Sequence, residues 1–302
     1  MTDNAGDAKR PKTLRPLWYR IGRIIAIGYL TVLVTLLVLE SRLVYPGAYQ
    51  AVDAREVVGV ETTAEPFEYQ SADGTRLIGQ LVRRGDAVEN DGKENSAPPR
   101  YLVFFHGNGT KAIWSRGFIE RLSAATGATV LAAEYRGFGA DRVRLSESGV
   151  VADSVAAVDS FCDALGIKPQ DVFVYGSSLG GGCAAAVARQ RPVKGVILER
   201  SFDRLVDVAA GMYPYMPVRW LMRNRFDSIA RLKDFRGPVL QIHGDVDVVV
   251  PIHHAKRLQK ALTTKDQTFI ERQGLGHNDS IDDVLLRQVG DWMGARAGDP
   301  NG

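Results

Sequence analysis

Cysteine is scarce in this 302-residue chain, which has only Cys162 and Cys183. Both fall in predicted helices among apolar neighbours, so they read as buried reduced thiols and not as a disulfide framework. Histidine is sparse too, with five residues, and no group of His, Cys, Asp and Glu takes up a metal-ligand spacing. His253 and His254 are adjacent, so a helix points them in different directions and they cannot share one ion. No metal and no cofactor is therefore expected. A basic surface is missing as well. The formal net charge is +3, but Lys9, Arg10, Lys12, Arg15, Arg20 and Arg23 against Asp3 and Asp7 give residues 1–23 a net +4. The remainder sums to about −1, which argues against nucleic-acid binding. No internal repeat stands out.

One further absence is informative. Ile24–Leu39 is sixteen residues without a charge, rich in Leu, Ile and Val. Sixteen helical residues reach about 24 Å, short of a hydrocarbon core of about 30 Å. Extending the span to residues 21–45, with Arg20, Arg23 and Arg42 snorkelling, closes the gap. Trp18, Tyr19 and Tyr45 are placed as interfacial anchors, and the cations ahead of the span put the N-terminus in the cytoplasm. A cleaved signal peptide would need a shorter apolar region and a small-x-small site, for which Ala48 and Ala51–Ala54 are weak candidates. The expected organisation is a cytoplasmic basic tail (1–20), a transmembrane anchor (21–45), a linker (46–65) and a globular domain (66–297) lying outside the cytoplasm.

Within that domain, residues 66–70 and 77–83 flank Ser71-Ala72-Asp73-Gly74, a hairpin signature. Residues 85–99 are polar and carry two prolines, as a surface loop does. Short apolar runs at 101–105, 129–133, 172–175, 195–198, 239–243 and 268–271 read as buried strands. Helices are predicted over 111–126, 253–262 and 280–295. A further one is marked by Val151, Val155, Val158, Cys162 and Leu165, spaced by four and three. A hairpin followed by alternating strands and helices means an α/β domain with a mostly parallel sheet covered on both faces. Ligands of such sheets bind beyond the carboxyl ends of the strands.

The residues that follow each strand are therefore the ones to read. His106-Gly107-Asn108-Gly109-Thr110 follows the first buried strand, and Gly176-Ser177-Ser178-Leu179-Gly180 follows the third. Gly244-Asp245-Val246-Asp247 and Gly274-Leu275-Gly276-His277-Asn278 follow the last two. A G-x-S-x-G pentapeptide between strand and helix makes a strained turn that lifts a serine hydroxyl clear of the backbone. Its small residues are needed because a β-carbon there would collide across the turn. Four strand ends thus bring a glycine-rich turn, a serine, an acid and a histidine to one edge, in the order Ser, Asp, His. Asp245 and Asp247 both remain candidates for the acid.

These stretches, with Tyr135-Arg136-Gly137-Phe138-Gly139, residues 198–202, residues 225–228 and Val250-Pro251, resemble serine hydrolases of the α/β-hydrolase fold. More narrowly, the chain is similar to single-spanning membrane hydrolases related to the abhydrolase-domain depalmitoylases and to serine-aminopeptidase-like hydrolases. The resemblance implies Ser178 as nucleophile, His277 as base, Asp247 rather than Asp245 as the acid, and backbone N–H groups of Asn108 and Leu179 as oxyanion donors. It also implies a carboxylic ester or thioester substrate of acyl or lipid-like character. His106 and His243 read as loop-bracing residues, and Asp279 as the cap of the last helix. Residues 201–236 interrupt the strand–helix rhythm and are expected to form a small apolar helical cap. The cytoplasmic N-terminus resists a depalmitoylase assignment, because cytoplasmic acyl-proteins would lie across the membrane. The alternatives are a peptidase of aminopeptidase type and a catalytically silent, membrane-tethered binding protein.

Overall fold

The computed structural model describes residues 16–51, 62–85, 98–139, 143 and 145–297. Most of the basic tail, half of the expected linker and the middle of the polar loop lie outside the described residues. The chain divides into two compact units, Met1–Glu40 and Ser41–Gly302.

The first unit is dominated by helix α1 (Leu17–Val44), which runs on into the second. It begins four residues before the expected span, just after Pro16, a position where a proline's missing N–H costs nothing. At 28 residues it is about 42 Å long. Its most apolar eighteen-residue window has a mean hydropathy of 2.2 and none of it is buried in the protein. It is long and apolar enough to cross a membrane.

The second unit is built on an eight-stranded sheet. The hairpin β1 (Glu65–Gln70) and β2 (Arg76–Val82) is antiparallel, and β2 pairs antiparallel with β4 (Ala128–Ala133). From there β4, β3 (Arg100–Phe105), β5 (Val172–Ser177), β6 (Gly195–Glu199), β7 (Val239–Gly244) and β8 (Gln267–Arg272) are parallel, in the order β1-β2-β4-β3-β5-β6-β7-β8. Side chains alternate across the sheet. Leu102, Phe104, Val130, Phe173, Tyr175 and Ile197 join one core, while Val103, Phe105, Leu131, Val174 and Leu198 join the other. Helices α2 (Arg116–Thr126) and α9 (Asp283–Ala297) contribute Ile119, Leu122, Leu286 and Val289 to the first. Helices α3 (Glu147–Leu165) and α4 (Leu179–Gln190) contribute Val158, Cys162 and Cys183 to the second. Both cysteines are free and buried, and burial pushes each thiol up to about 11.

Two helix starts differ from the sequence reading. The helix expected from Lys111 opens at Arg116, after a 3-10 turn at Ile113–Ser115, because Lys111 turns inward and its ammonium donates to the Phe138 carbonyl. The last helix opens at Asp283, with Asp282 capping the Leu285 N–H at 2.8 Å. Asp279 accepts instead from the Gly276 N–H, at 2.7 Å, and so closes the loop around His277.

Residues 201–236 hold three short helices, α5 (Leu205–Met212), α6 (Val218–Leu221) and α7 (Ser228–Leu232). Their root is fixed by Asp203, which is buried and accepts from His254 Nδ1 (2.6 Å), Arg257 Nε (2.6 Å) and the Arg204 N–H (2.8 Å). His254 and Arg257 lie on helix α8 (His253–Ala261). Burial raises the carboxyl's pKa, but these donors outweigh it and hold Asp203 well below the ordinary carboxylate range. A depressed folded-state value means stability that is present above the unfolded value of about 3.9 and lost as pH falls through the folded one. Asp203→Asn is therefore expected to cost about 2–3 kcal/mol near neutral pH and to flatten the acid limb. Urea midpoints measured from about pH 3 to pH 7 check this, and an unchanged acid limb would contradict it.

Candidate active site

The sheet order reverses between β3 and β5, since the chain steps outward to β4 and then returns to the other side of β3. A crevice forms beyond the carboxyl ends of the strands at such a point. The turns after β3 and β5 meet there. A β-carbon built on Gly107 would lie 3.6 Å from Ser178 Cβ.

Ser178 stands between β5 and α4 with φ 52° and ψ −114°, a conformation that side-chain-bearing residues rarely adopt. Neighbouring strands hold the turn. The Ser178 N–H donates to the Glu199 carbonyl at 2.9 Å, and its own carbonyl accepts from Ser201 Oγ at 3.0 Å. The turn closes only because Gly180 and Gly176 lack side chains. A β-carbon at Gly180 would sit 1.9 Å from the Phe105 carbonyl oxygen, and one at Gly176 would sit 2.1 Å from that of Gly180.

The structure brings three of the sequence-selected residues into one hydrogen-bonded row. Ser178 Oγ lies 3.0 Å from His277 Nε2, and His277 Nδ1 lies 2.7 Å from Asp247 Oδ2. The carboxylate accepts a hydrogen bond from Nδ1–H, so Nε2 is the bare acceptor for the serine hydroxyl. Asp247 Oδ1 accepts the N–H groups of Val249 (3.0 Å) and Val250 (2.8 Å). Burial raises the Asp247 pKa, but the bonds from His277 and Val250 outweigh it and leave the carboxyl below its ordinary value. Asp245 takes a different partner, accepting the Gly274 N–H at 2.6 Å and fastening the start of the histidine loop.

Four supports surround this row. His243 is buried and donates Nε2–H to the Val250 carbonyl at 2.7 Å, and burial lowers its pKa and keeps it neutral. His106 is buried beneath the glycine-rich turn and pairs through Nε2 with Glu134 Oε1 at 2.9 Å. Glu134 also accepts the N–H of Ala112 (3.1 Å) and that of Tyr135 (3.0 Å), which ties the glycine-rich turn to the residues after β4. Arg200, at φ 46°, lies along the Glu199 carboxylate and donates to the carbonyls of Gly276 (3.1 Å) and Asp279 (2.5 Å) on either side of His277. Sequence reading missed Glu134, Glu199 and Arg200 as supports, although all three lie in or beside stretches that carried the resemblance.

The candidate oxyanion donors occupy the two facing turns. Leu179 is the first residue of α4, where backbone N–H groups have no partner within the helix. Asn108 is held from an unexpected direction. Its side-chain amide donates to the Val44 carbonyl (3.2 Å), and its carbonyl accepts the Gly47 N–H (2.8 Å). Val44, expected in the membrane anchor, and Gly47, expected in the linker, therefore belong to a collar bonded to the turn that carries Asn108, and Tyr45 between them is buried in the domain and not an interfacial anchor. A separate cavity of about 400 Å³ lies between the start of α3 and residues 223–231, lined among others by Ser41, Ser146, Ser148 and Arg223. It includes none of the Ser178 row.

Residues 101–221 match a family model described as the alpha/beta hydrolase fold. An uncharacterised protein of Mycobacterium tuberculosis is 35% identical over 153 residues, covering 51% of this chain and 54% of its own. The chain thus spans about half the length of that relative. The alpha/beta hydrolase domain-containing protein WAV2 of Arabidopsis thaliana is 26% identical over 288 residues, covering 87% of this chain and 88% of its own. Among solved structures, the esterase domain of a Rhodothermus marinus protein superposes with TM-score 0.58 at 20% identity, over 78% of this chain and 99% of that one. A Pyrococcus furiosus esterase superposes with TM-score 0.61 at 15% identity, over 83% and 96%. At these identities the structural likeness speaks to the fold.

Proposed function

We propose, from the premise that this chain is an α/β-hydrolase-fold hydrolase, that it is a membrane-anchored serine hydrolase cleaving a carboxylic ester or thioester. The observation that carries the reading is the row Ser178 Oγ, His277 Nε2, His277 Nδ1, Asp247 Oδ2 at 3.0 and 2.7 Å. In it Ser178 attacks the acyl carbon while His277 takes the hydroxyl proton. The tetrahedral oxyanion is met by the N–H groups of Leu179 and Asn108, each of a kind worth about 3–4 kcal/mol in the transition state. His277 then hands its proton to the departing alcohol or thiol. Water, deprotonated by the same imidazole, releases the acid and restores the serine. Asp247 fixes the tautomer and stabilises the imidazolium.

The α1 helix is the proposed anchor, with the basic N-terminus cytoplasmic and the catalytic domain across the membrane, in keeping with the cations ahead of the span. Residues 201–236 are the proposed cap over the site.

A series of nitrophenyl esters from acetate to palmitate tests the activity. Turnover that disappears in the Ser178→Ala protein is expected. No turnover of any ester by folded protein, or turnover of aminoacyl arylamides alone, would overturn the ester reading. The two candidate acids separate sharply. Asp247→Asn is expected to lower kcat about 10⁴-fold, because the imidazole loses its fixed tautomer. Asp245→Asn keeps an oxygen that can still accept from Gly274 N–H and is expected to cost less than about tenfold. Comparable losses in the two variants would contradict the assignment.

A further inference from the structure

The cap carries a feature that cleavage of an ester does not require. From the end of α5 through α6, Met212, Tyr213, Tyr215 and Trp220 are solvent-exposed, Tyr215 at 87% and Trp220 at 88%. Large aromatic side chains presented this openly and close together in sequence mark a surface that is covered in use. Residues 208–226 also contain three arginines, Arg219, Arg223 and Arg225, and no acid. Asp207, at the edge, accepts from Arg219 at 2.9 Å, while Arg225 turns back onto the carbonyls of Arg219 and Met222. Arg223 is exposed and lines the cavity at the start of α3. Tyrosine, tryptophan and methionine among arginines suit one environment in particular, the headgroup layer of an anionic bilayer.

Continuity with the collar gives the second argument. The buried Asn224 side chain accepts from Tyr45 Oη at 2.9 Å, so the returning limb of the cap is pinned to the collar. Tyr45 stands six residues after Leu39, the last residue of the apolar run. The cap's other contacts lead to the nucleophile. Phe226 packs on Gly182 in the first turn of α4, and Arg231 donates to the Gly182 carbonyl at 2.9 Å.

We infer that the exposed segment Met212–Trp220 docks on an anionic lipid surface and that the enzyme draws its acyl substrate, a membrane-resident ester or thioester amphiphile, from that surface. This rests on the reading of α1 as a membrane anchor and of Ser178 as the nucleophile. The partner is lipid rather than protein because the surface couples large aromatic anchors to a net positive charge over residues 207–226 and is tied to the residues that follow the apolar helix.

The test uses the full chain reconstituted in vesicles of phosphatidylcholine and phosphatidylglycerol. Both native cysteines are buried, so Trp220→Cys can be labelled selectively with an environment-sensitive fluorophore. Ile27→Cys serves as the anchor control and Lys168→Cys, on an exposed loop before β5, as the solvent control. The expected result is a blue-shifted label at position 220, quenched by nitroxides on lipid headgroups, with position 168 unaffected. A label at 220 that stays water-like overturns the docking surface, and so does one shielded from water but not quenched by lipid nitroxides, which would mean a protein partner. The label at 27 distinguishes failure of the anchor from failure of the cap contact. In parallel, Tyr215→Ser with Trp220→Ser is expected to slow hydrolysis of a long-chain ester presented in vesicles about tenfold and to leave a soluble acetate ester unchanged. Equal loss on both substrates, or on neither, overturns the inferred route of substrate entry.

Discussion

Replacing Ser178 by alanine is expected to lower kcat by about 10⁴- to 10⁶-fold, the range met when the nucleophile of a serine–histidine–acid unit is removed. The loss is this large because the hydroxyl is the only atom removed and everything around it is arranged for its reaction. His277 Nε2 is aimed at it from 3.0 Å, Asp247 holds the far side of the ring, and α4 begins at the next residue. Little stability should change with it. The strained backbone at φ 52° is imposed by its bonds to Glu199, Ser201 and Gly181, and all three use main-chain atoms of Ser178 that alanine keeps. The melting temperature should therefore stay within a few degrees of wild type. The neighbouring serine is the internal control. Ser177 Oγ donates to Glu199 at 3.3 Å, so Ser177→Ala should cost no more than about 1 kcal/mol of stability and leave turnover within severalfold. Kinetics and melting curves of the two variants side by side check both statements, and a Ser177 variant as dead as the Ser178 variant would contradict them.

Gly180→Ala is expected to be among the most damaging single methyls in the domain's active edge. The added carbon would lie 1.9 Å from the Phe105 carbonyl oxygen, 2.6 Å from its carbon and 2.8 Å from the His106 carbonyl oxygen. All three are main-chain atoms at the end of β3, with no flexible side chain to swing aside. Either α4 or the β3 turn must retreat by about an ångström, and an overpacked core of this kind costs several kcal/mol. The retreat would also part Leu179 from Asn108, so any protein that does fold should be nearly inactive. By contrast, a β-carbon on Gly117, in α2, meets open space. Gly117→Ala is expected to be neutral or to stabilise by up to about 1 kcal/mol. Soluble yield, melting temperature and ester turnover of the two proteins decide the matter. A stable, active Gly180 variant would mean that the helix does not bear on the strand end as described.

The parts of this protein that repeat locally were legible in its sequence. Val155, Val158 and Cys162 are buried on α3 as their spacing requires, and each apolar run of four or five residues became a strand. The candidate site was legible for the same reason, since a parallel sheet carries whatever follows its strands to one edge. What escaped reading depends on contacts between residues far apart in the chain, which leave no period. The bond between Asn108 and Val44 joins residues 64 apart, and that between Tyr45 and Asn224 joins residues 179 apart. Nothing in residues 44–49 taken alone shows that they are a collar and not the end of a membrane span and the start of a linker. Asp279 and Asp282 are both plausible helix caps by spacing, and only the loop's closure on Gly276 assigns the first elsewhere. Arg200 looks like a surface residue in sequence. Its left-handed backbone, which turns it inward toward the His277 loop, becomes visible only with β6 and β7 in place.

The most direct measurement is the site of covalent modification by a fluorophosphonate probe, mapped by peptide mass spectrometry on the intact, membrane-reconstituted chain. The probe reacts with serine hydroxyls that a neighbouring base has activated. A single adduct on Ser178, lost in His277→Gln and in Ser178→Ala, is the expected outcome. An adduct on Ser177 or Ser201, labelling that persists without Ser178, or no adduct on folded protein that still turns over an ester would contradict the account.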